Sequence, residues 1–268
     1  MRAARSDCRC GPSGTKANLT RLFDDELPVH PCQTCSLRVT PLFMPFTAEE
    51  LRFMMRFREG EVTLDPGDYL FHEDEALTSF YTVRSGQGAR YKMLKNGDRQ
   101  LVNFVFPGDL VGLAGTVTGA TTAAVQAVAP MRLCRFRKNR LPELFAGHPD
   151  RAYALTWIAA VEEHFLGETI ATLGQRNAIQ RLAWALLKVH QRLAAVGLAD
   201  TAGTVPFPYR QGDLADALGL SLVHTNKTLA QLRSWARLEN GRLAVFDHQK
   251  LAELSLSNGD APIRRPLL

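Results

Sequence analysis

The 268-residue chain lacks any apolar run approaching the ~18 residues that a membrane-crossing helix needs, so no membrane partner is expected. Its opening stretch, MRAARSDCRCGPSG, is basic and rich in small residues but lacks the apolar centre of a secretory leader. A cytoplasmic location is the resulting expectation. The chain also lacks an even complement of cysteines: five in this length argue against a secreted disulfide framework and leave metal, redox or plain core roles open. Acidic residues are outnumbered, 27 against 32 basic, for a net charge of +5. That balance favours polyanionic partners without choosing nucleic acid over a membrane surface.

What is present reads as globular, with 46% hydrophobic and 22% charged residues and length enough for two domains, each burying its own core. Residues 1–28 mix Gly, Ser, Pro and charge without periodicity and read as a flexible N-terminal segment. Thr47, with Glu50 three residues on, starts a short helix through a capping box. From Glu61 to about Arg137, strand-length runs such as FYTVRSG and RQLVNFVFPG are broken by Pro66-Gly67-Asp68, Ser85-Gly86, Asn96-Gly97 and Pro107-Gly108-Asp109. Asn96-Gly97 predicts a hairpin in which both turn residues take positive φ. Many short strands so spaced predict a sandwich, jelly roll or small barrel. Helical periodicity follows from His148 to about Gly174, with Ile158, Val161 and Phe165 on one face and Leu166, Ile170 and Leu173 extending it. Such a helix must pack against its own domain, a second copy, or both. A further helix, NAIQRLAWALLKVHQRLAAVG, ends at Gly197, and ADTAGTVPFP reads as a loop or short edge strand.

The most specific segment runs from Tyr209 to Asp247. Leu214, Ala215 and Leu218 make the buried face of a short helix, Gly219 suits a tight turn, and Ser221 caps the next helix. There Leu222, Thr225, Leu229 and Leu232 form the expected buried stripe. Val223, Asn226, Lys227 and Ala230 form the outward one, whose amide, cation and methyl groups suit base edges in a major groove. His224 lies to one side, where it suits a phosphate. The set nominated for DNA contact is Gln211, Ser221, Val223, His224, Asn226, Lys227 and Arg233. Leu238 to Leu243 then reads as a two-stranded wing. The bland alternative is an ordinary pair of packed helices followed by a hairpin.

The chain resembles the Crp/Fnr superfamily of bacterial regulators from about Cys32 to Leu251. The residues that carry the resemblance are LDPGDYLFHEDE, FYTVRSG, FVFPGDLVG, NAIQRLA and GDLADALGLSLVHTNKTLAQLR. The resemblance implies an α+β chain: a cyclic-nucleotide-binding-like β-roll (29–147), a long dimerisation helix (148–175) and a winged helix-turn-helix (176–268). It also implies a homodimer on a near-palindromic operator, with RNA polymerase as a further partner. Members that bind cyclic AMP hold its phosphate with an Arg-Ser pair after the GDLVG-like strand. Here that stretch reads TVTGATTAAVQAV, without Arg, so cyclic AMP is not expected. In the recognition helix Val223 and Lys227 stand where relatives usually carry Glu and Arg, so a different target sequence is expected.

Oxygen-sensing members hold a [4Fe–4S] cluster through N-terminal cysteines and one in the barrel. Cys32, Cys35 and Cys134 fall in matching neighbourhoods, while the place of a third N-terminal cysteine reads Val39-Thr40-Pro41-Leu42-Phe43. A cubane needs four ligands, and Cys8 or Cys10 would have to complete the set. Competing readings are zinc held by Cys8, Cys10, Cys32 and Cys35, a redox pair of Cys32 with Cys35, and a core role for Cys134. His30 and His72 are weaker candidates for haem. Two functional readings result: a DNA-binding regulator with an unidentified signal, and a redox or metal sensor controlled by Cys32, Cys35 and Cys134. An enzyme on a cupin-like barrel finds no support, because the barrel segment has His72 but no His and carboxylate cluster at ligand spacing.

Overall fold

The computed structural model describes residues 32–268; the 1–28 segment, Cys8, Cys10 and His30 lie outside the described residues. Helix α1 (Ala48–Phe57) begins at the expected capping box: the Glu50 N–H donates to Thr47 Oγ1 at 3.1 Å and the Thr47 N–H to Glu50 Oε2 at 2.8 Å. It buries Phe53, Met54 and Phe57. Strands β1 (Gly60–Leu64), β2 (Tyr69–Phe71), β3 (Ser79–Ser85), β4 (Gly88–Met93), β5 (Arg99–Val105) and β6 (Leu110–Val111) follow. After a short helix α2 (Leu113–Thr118) come β7 (Ala124–Ala127) and β8 (Met131–Arg137). They form two antiparallel four-stranded sheets, ordered β1-β8-β3-β6 and β2-β7-β4-β5. Phe71, Val83, Val105, Val111, Val125 and Leu133 fill the space between them. This is the β-roll.

The β4–β5 hairpin departs from expectation. Gly97 alone takes positive φ, at 89°, and Asn96 does not. Instead the Gly97 N–H bonds to Leu94 O and the Asn96 side chain accepts from the Asp98 N–H, a longer loop that one left-handed residue satisfies.

Helix α3 (Leu141–Gly147) leads into the 27-residue helix α4 (Pro149–Gln175). Of α4, Arg151, Ala154, Leu155 and Thr172 are buried. On the expected apolar face, Ile158 packs towards α1 and Phe165 stacks on Trp184 at 5.8 Å, whereas Val161 is 37% and Ile170 71% exposed. Helix α5 (Ala178–Ala195) starts at a capping box of Asn177 with Gln180 and ends before Gly197, whose φ is 80°. Then come β9 (Val205–Pro206), α6 (Gln211–Leu218), α7 (Leu222–Leu232), β10 (Ala236–Glu239), β11 (Arg242–Val245) and α8 (His248–Leu254). Strand β9 pairs with β11 as the third strand of the wing sheet.

The β-roll and the winged unit share one core rather than burying separate ones. Strand β5 and the residue after it are apolar on both faces: Val105 points between the sheets, while Phe104 and Phe106 join the cluster containing Leu186, Phe207, Tyr209 and Leu218. An apolar run without alternation needs cover on both sides. Polar contacts pin this joint. Tyr209 donates to Gly88 O at 2.7 Å, Gln87 donates to Pro206 O at 3.0 Å, and Arg99 bridges Asp213 at 3.1 Å and Asp216 at 2.6 Å.

Beyond α8, residues 257–268 run back to the β-roll, a path without a signal in the sequence. Arg265 forms a parallel bridge with Phe43, and Leu267 and Leu268 are buried.

Candidate nucleic-acid interface

Helix α6 buries Leu214, Ala215 and Leu218 as expected. It stops because Gly219 adopts the left-handed conformation, φ 60°, which costs a residue with a Cβ about 1 kcal/mol. The Leu220 N–H then closes onto Ala215 O at 3.0 Å, and Arg181 donates to Leu218 O at 2.9 Å, so the orphan carbonyls at the helix end are satisfied. Ser221 starts α7 by accepting from the His224 N–H at 3.2 Å. The wing turn is the tight hairpin with both central residues at positive φ, Asn240 at 52° and Gly241 at 70°.

Helix α7 hangs on Thr225, Thr228 and Leu232, all buried, with Leu229 half-buried. The expected buried stripe is therefore corrected at its start. Leu222 is 52% exposed and Thr228 takes its place, because the first turn overhangs the core and burial begins only at Thr225. Val223, His224, Asn226, Lys227 and Ala230 are exposed, as is Ser221 at the cap. Gln211 is exposed at the first turn of α6, and Arg233 is exposed just past α7. Neither Lys227 nor Arg233 makes an ion pair with any described residue. Leu222, beside Val223, adds an apolar group to this end of the helix. Its signal was its position directly after the cap, before the helix has turned onto its core face.

The structure brings Cys32, Cys35 and Cys134 to one small cavity of about 30 Å³, walled also by Arg38, Arg58, Arg84, Leu267 and Leu268. Cys134 sits on β8 opposite Glu61 of β1 and Thr82 of β3, and Arg58 Nε approaches its sulfur at 3.4 Å. Burial, reinforced by the neighbouring Cys134, pushes the Cys32 thiol up to about 11, against the opposing pull of Arg58. Burial also raises Cys134, despite its bond from Arg58. These are neutral thiols in a space for about one or two waters. Among the described residues no group of His, Cys, Asp or Glu is arranged to hold a metal ion. Among the described residues the three thiols are one ligand short of a cubane or a tetrahedral zinc site, and Cys8 and Cys10 lie outside the described residues. His72 lies apart, exposed and stacked on Tyr69, with no geometry suited to haem.

A larger cavity of about 480 Å³ lies between α2, β7 and α4. Its cations are already engaged. Arg90 is paired with Glu162 at 2.6 Å and Arg265 with Asp109 at 3.2 Å. No arginine projects from residues 113–123, and Glu162 and Glu163 line the wall. A phosphodiester placed here would meet carboxylates before any unpaired cation, so the residues do not fit cyclic AMP.

Comparison with known proteins agrees with this architecture. Residues 61–148 match the family model described as a cyclic nucleotide-binding domain, and residues 180–254 match a Crp-like helix-turn-helix domain. The chain is 28% identical to the nitrogen fixation regulation protein FixK of Bradyrhizobium diazoefficiens over 84% of its own length and 94% of that protein's. It is 27% identical to the fumarate and nitrate reduction regulatory protein of Escherichia coli over 92% of this chain and 94% of that one. The structure of FixK2 from Bradyrhizobium japonicum superimposes with a TM-score of 0.65 at 25% identity, covering 73% of this chain and 96% of that one.

Proposed function

The chain belongs to the Crp/Fnr superfamily of DNA-binding transcription regulators, and on that premise we propose that it acts as a homodimer reading a near-palindromic duplex through α7. The observation that carries the dimer is α4. It is 27 residues long and apolar on balance, yet it leaves Tyr153 and Ile170 each 71% exposed. These exposed apolar groups lie on different sides of the axis, and a helix apolar all round is normally covered, here by a second copy of itself.

In the complex, Val223, Asn226 and Lys227 face base edges, with Leu222 alongside for a thymine methyl. Gln211, Ser221, His224 and Arg233 hold the phosphates on either side. Lys227, exposed and unpaired, has no internal work to do, and that supports an external anion or base as its partner. RNA polymerase is the machinery such a regulator acts on, and the cytoplasm is where both would meet. Selection of target sites from random duplex tests the reading. Enrichment of a two-fold-related motif supports it, and recovery of no motif refutes it.

The convergence of Cys32, Cys35 and Cys134 on one cavity supports a redox or metal sensor as the second reading. Burial, which raises Cys32 and Cys134, keeps these thiols slow to react until the cavity opens. Anaerobic purification followed by iron, sulfide and zinc analysis, together with DNA binding by Cys32→Ser, tests this. A metal-free protein whose affinity responds to oxidant only when Cys32 is present supports it. An unchanged response in Cys32→Ser removes it.

A further inference from the structure

Residues 257–268 join the molecule's two halves through three successive fastenings. Near the winged unit, Gln191 of α5 donates to Gly259 O at 2.8 Å. In the middle, the Arg265 N–H bonds to Leu42 O at 2.8 Å and the Met44 N–H to Arg265 O at 2.9 Å, a short strand pairing. At the far end Leu267 and Leu268 are 4% and 5% exposed. Arg151 of α4 donates to Leu267 O at 3.2 Å, and Thr82 of β3 donates to Leu268 O at 3.0 Å.

The middle fastening is built around Asp109, the acid of the Pro107-Gly108-Asp109 turn. Arg192 of α5 grips both its oxygens, at 2.8 and 2.7 Å, and Arg265 adds a third contact at 3.2 Å. The Phe106 N–H also donates to it at 2.9 Å. Gly108 has no Cβ, and that absence makes room for the Phe43 ring and the Arg265 guanidinium against the turn. One carboxylate thus ties the β-roll to the winged unit and to the returning segment at once.

We propose that residues 257–268 are a strap whose Leu267–Leu268 pair is an internal ligand of the β-roll, seated in a dileucine site beside Cys134, and that unseating it loosens the winged unit. The site is chemically suited to an apolar segment with polar ends. Phe136, Met54 and Phe46 line it, and Thr82 and Arg151 take the two backbone oxygens. The same leucines wall the cysteine cavity. Any enlargement there, such as an oxidised or modified sulfur, competes with them for space. The link to the thiols rests on the sensory reading above; the seat itself does not.

The test uses the full chain carrying Leu267→Ser with Leu268→Ser, read by thiol labelling and by hydrogen exchange. With Cys8, Cys10 and Cys35 replaced by Ser, labelling with Ellman's reagent at pH 8 reports Cys32 and Cys134. It should be slow in the chain with both leucines, because burial pushes the Cys32 thiol up to about 11 and raises Cys134. Unseating the leucines lets water in, the thiol falls back towards its ordinary value, and labelling should speed several-fold. Exchange across residues 42–44 and 211–218 should rise together. Unchanged labelling, or exchange that rises at 42–44 while 211–218 stays protected, overturns the strap.

If the doubly substituted chain fails to fold, Arg265→Gln decides the matter. It spares the leucines and the Arg192–Asp109 pair, and the same joint rise in exchange is expected at smaller amplitude. A rise at 42–44 alone again overturns the proposal. A Cys32→Ser chain whose DNA binding no longer responds to oxidant concerns only the sensory reading.

Discussion

The outward face of α7 and the joint around Asp109 are opposite kinds of polar surface. On α7, Lys227 and Asn226 point to solvent with no internal ion pair. At the joint the charges are paired within the fold: Asp109 is shared by Arg192 and Arg265, and Arg99 is shared by Asp213 and Asp216. Unmatched groups on a rigid helix are available to a partner, and matched buried ones serve the architecture. The contrast yields a rule for this molecule. Substitutions on α7 should change binding without changing stability, and substitutions at the joint should do the reverse.

The largest expected effect comes from breaking the joint. Asp109→Asn leaves Arg192 and Arg265, both largely shielded from solvent, facing a neutral amide, at a cost of about 3 kcal/mol in a urea melt. Burial alone would raise the Asp109 carboxyl, but Arg192 and Arg265 outweigh it and hold it below the ordinary range. A loss below about 1 kcal/mol would mean that the joint is no more than a surface pair.

Next, Lys227→Ala should weaken binding to the selected site by about 1–3 kcal/mol, with an unchanged melting midpoint and a smaller loss on random duplex. Equal losses on both duplexes would reassign Lys227 to a phosphate. Gly219→Ala should cost about 1 kcal/mol through its left-handed backbone alone, since the added Cβ meets nothing closer than Arg181 at 3.7 Å. A loss of several kcal/mol would point to packing that the turn does not show.

The smallest effect is a pH dependence. His190 is buried, bonds to Gly203 O at 2.8 Å and faces His248 at 3.1 Å. Burial, with the neighbouring His248 adding to it, holds its pKa below 6.5, although the bond to Gly203 pulls the other way. The folded chain therefore binds fewer protons at this site than the unfolded one. Its contribution is complete above pH 6.5 and is lost as pH falls from there through the lowered folded value. Melts at pH 7.5 and 5.5 should separate, and His190→Gln should narrow the gap. An identical gap in both chains would place the dependence elsewhere.

The two surfaces also differ in how far they could be read in advance. Local chemistry announces α7: Gly219 for the left-handed stop, Ser221 for the cap, and a helical period that turns Asn226 and Lys227 outward. Its one misreading, Leu222, arose because periodicity gives direction around a helix axis but not how far the core extends along it. At Asn96-Gly97 the turn's position was legible, while its type depended on how β4 and β5 met. The joint was not legible. Asp109 appeared only as part of a turn motif, and its partners lie 83 and 156 residues away.

By itself, the sequence determined the order of β-roll, long helix and winged unit, and the residues α7 presents outward. Those features arise from interactions over a few residues: caps, turns and the periods of helix and strand. Tertiary structure alone decided that Phe104 and Phe106 fuse the two units into one core, that Cys32, Cys35 and Cys134 share a cavity, and that Leu267 and Leu268 close it. Burial, and with it the raised thiols and the matched charges, is a property of which distant surfaces meet. No local pattern in the chain encodes that meeting.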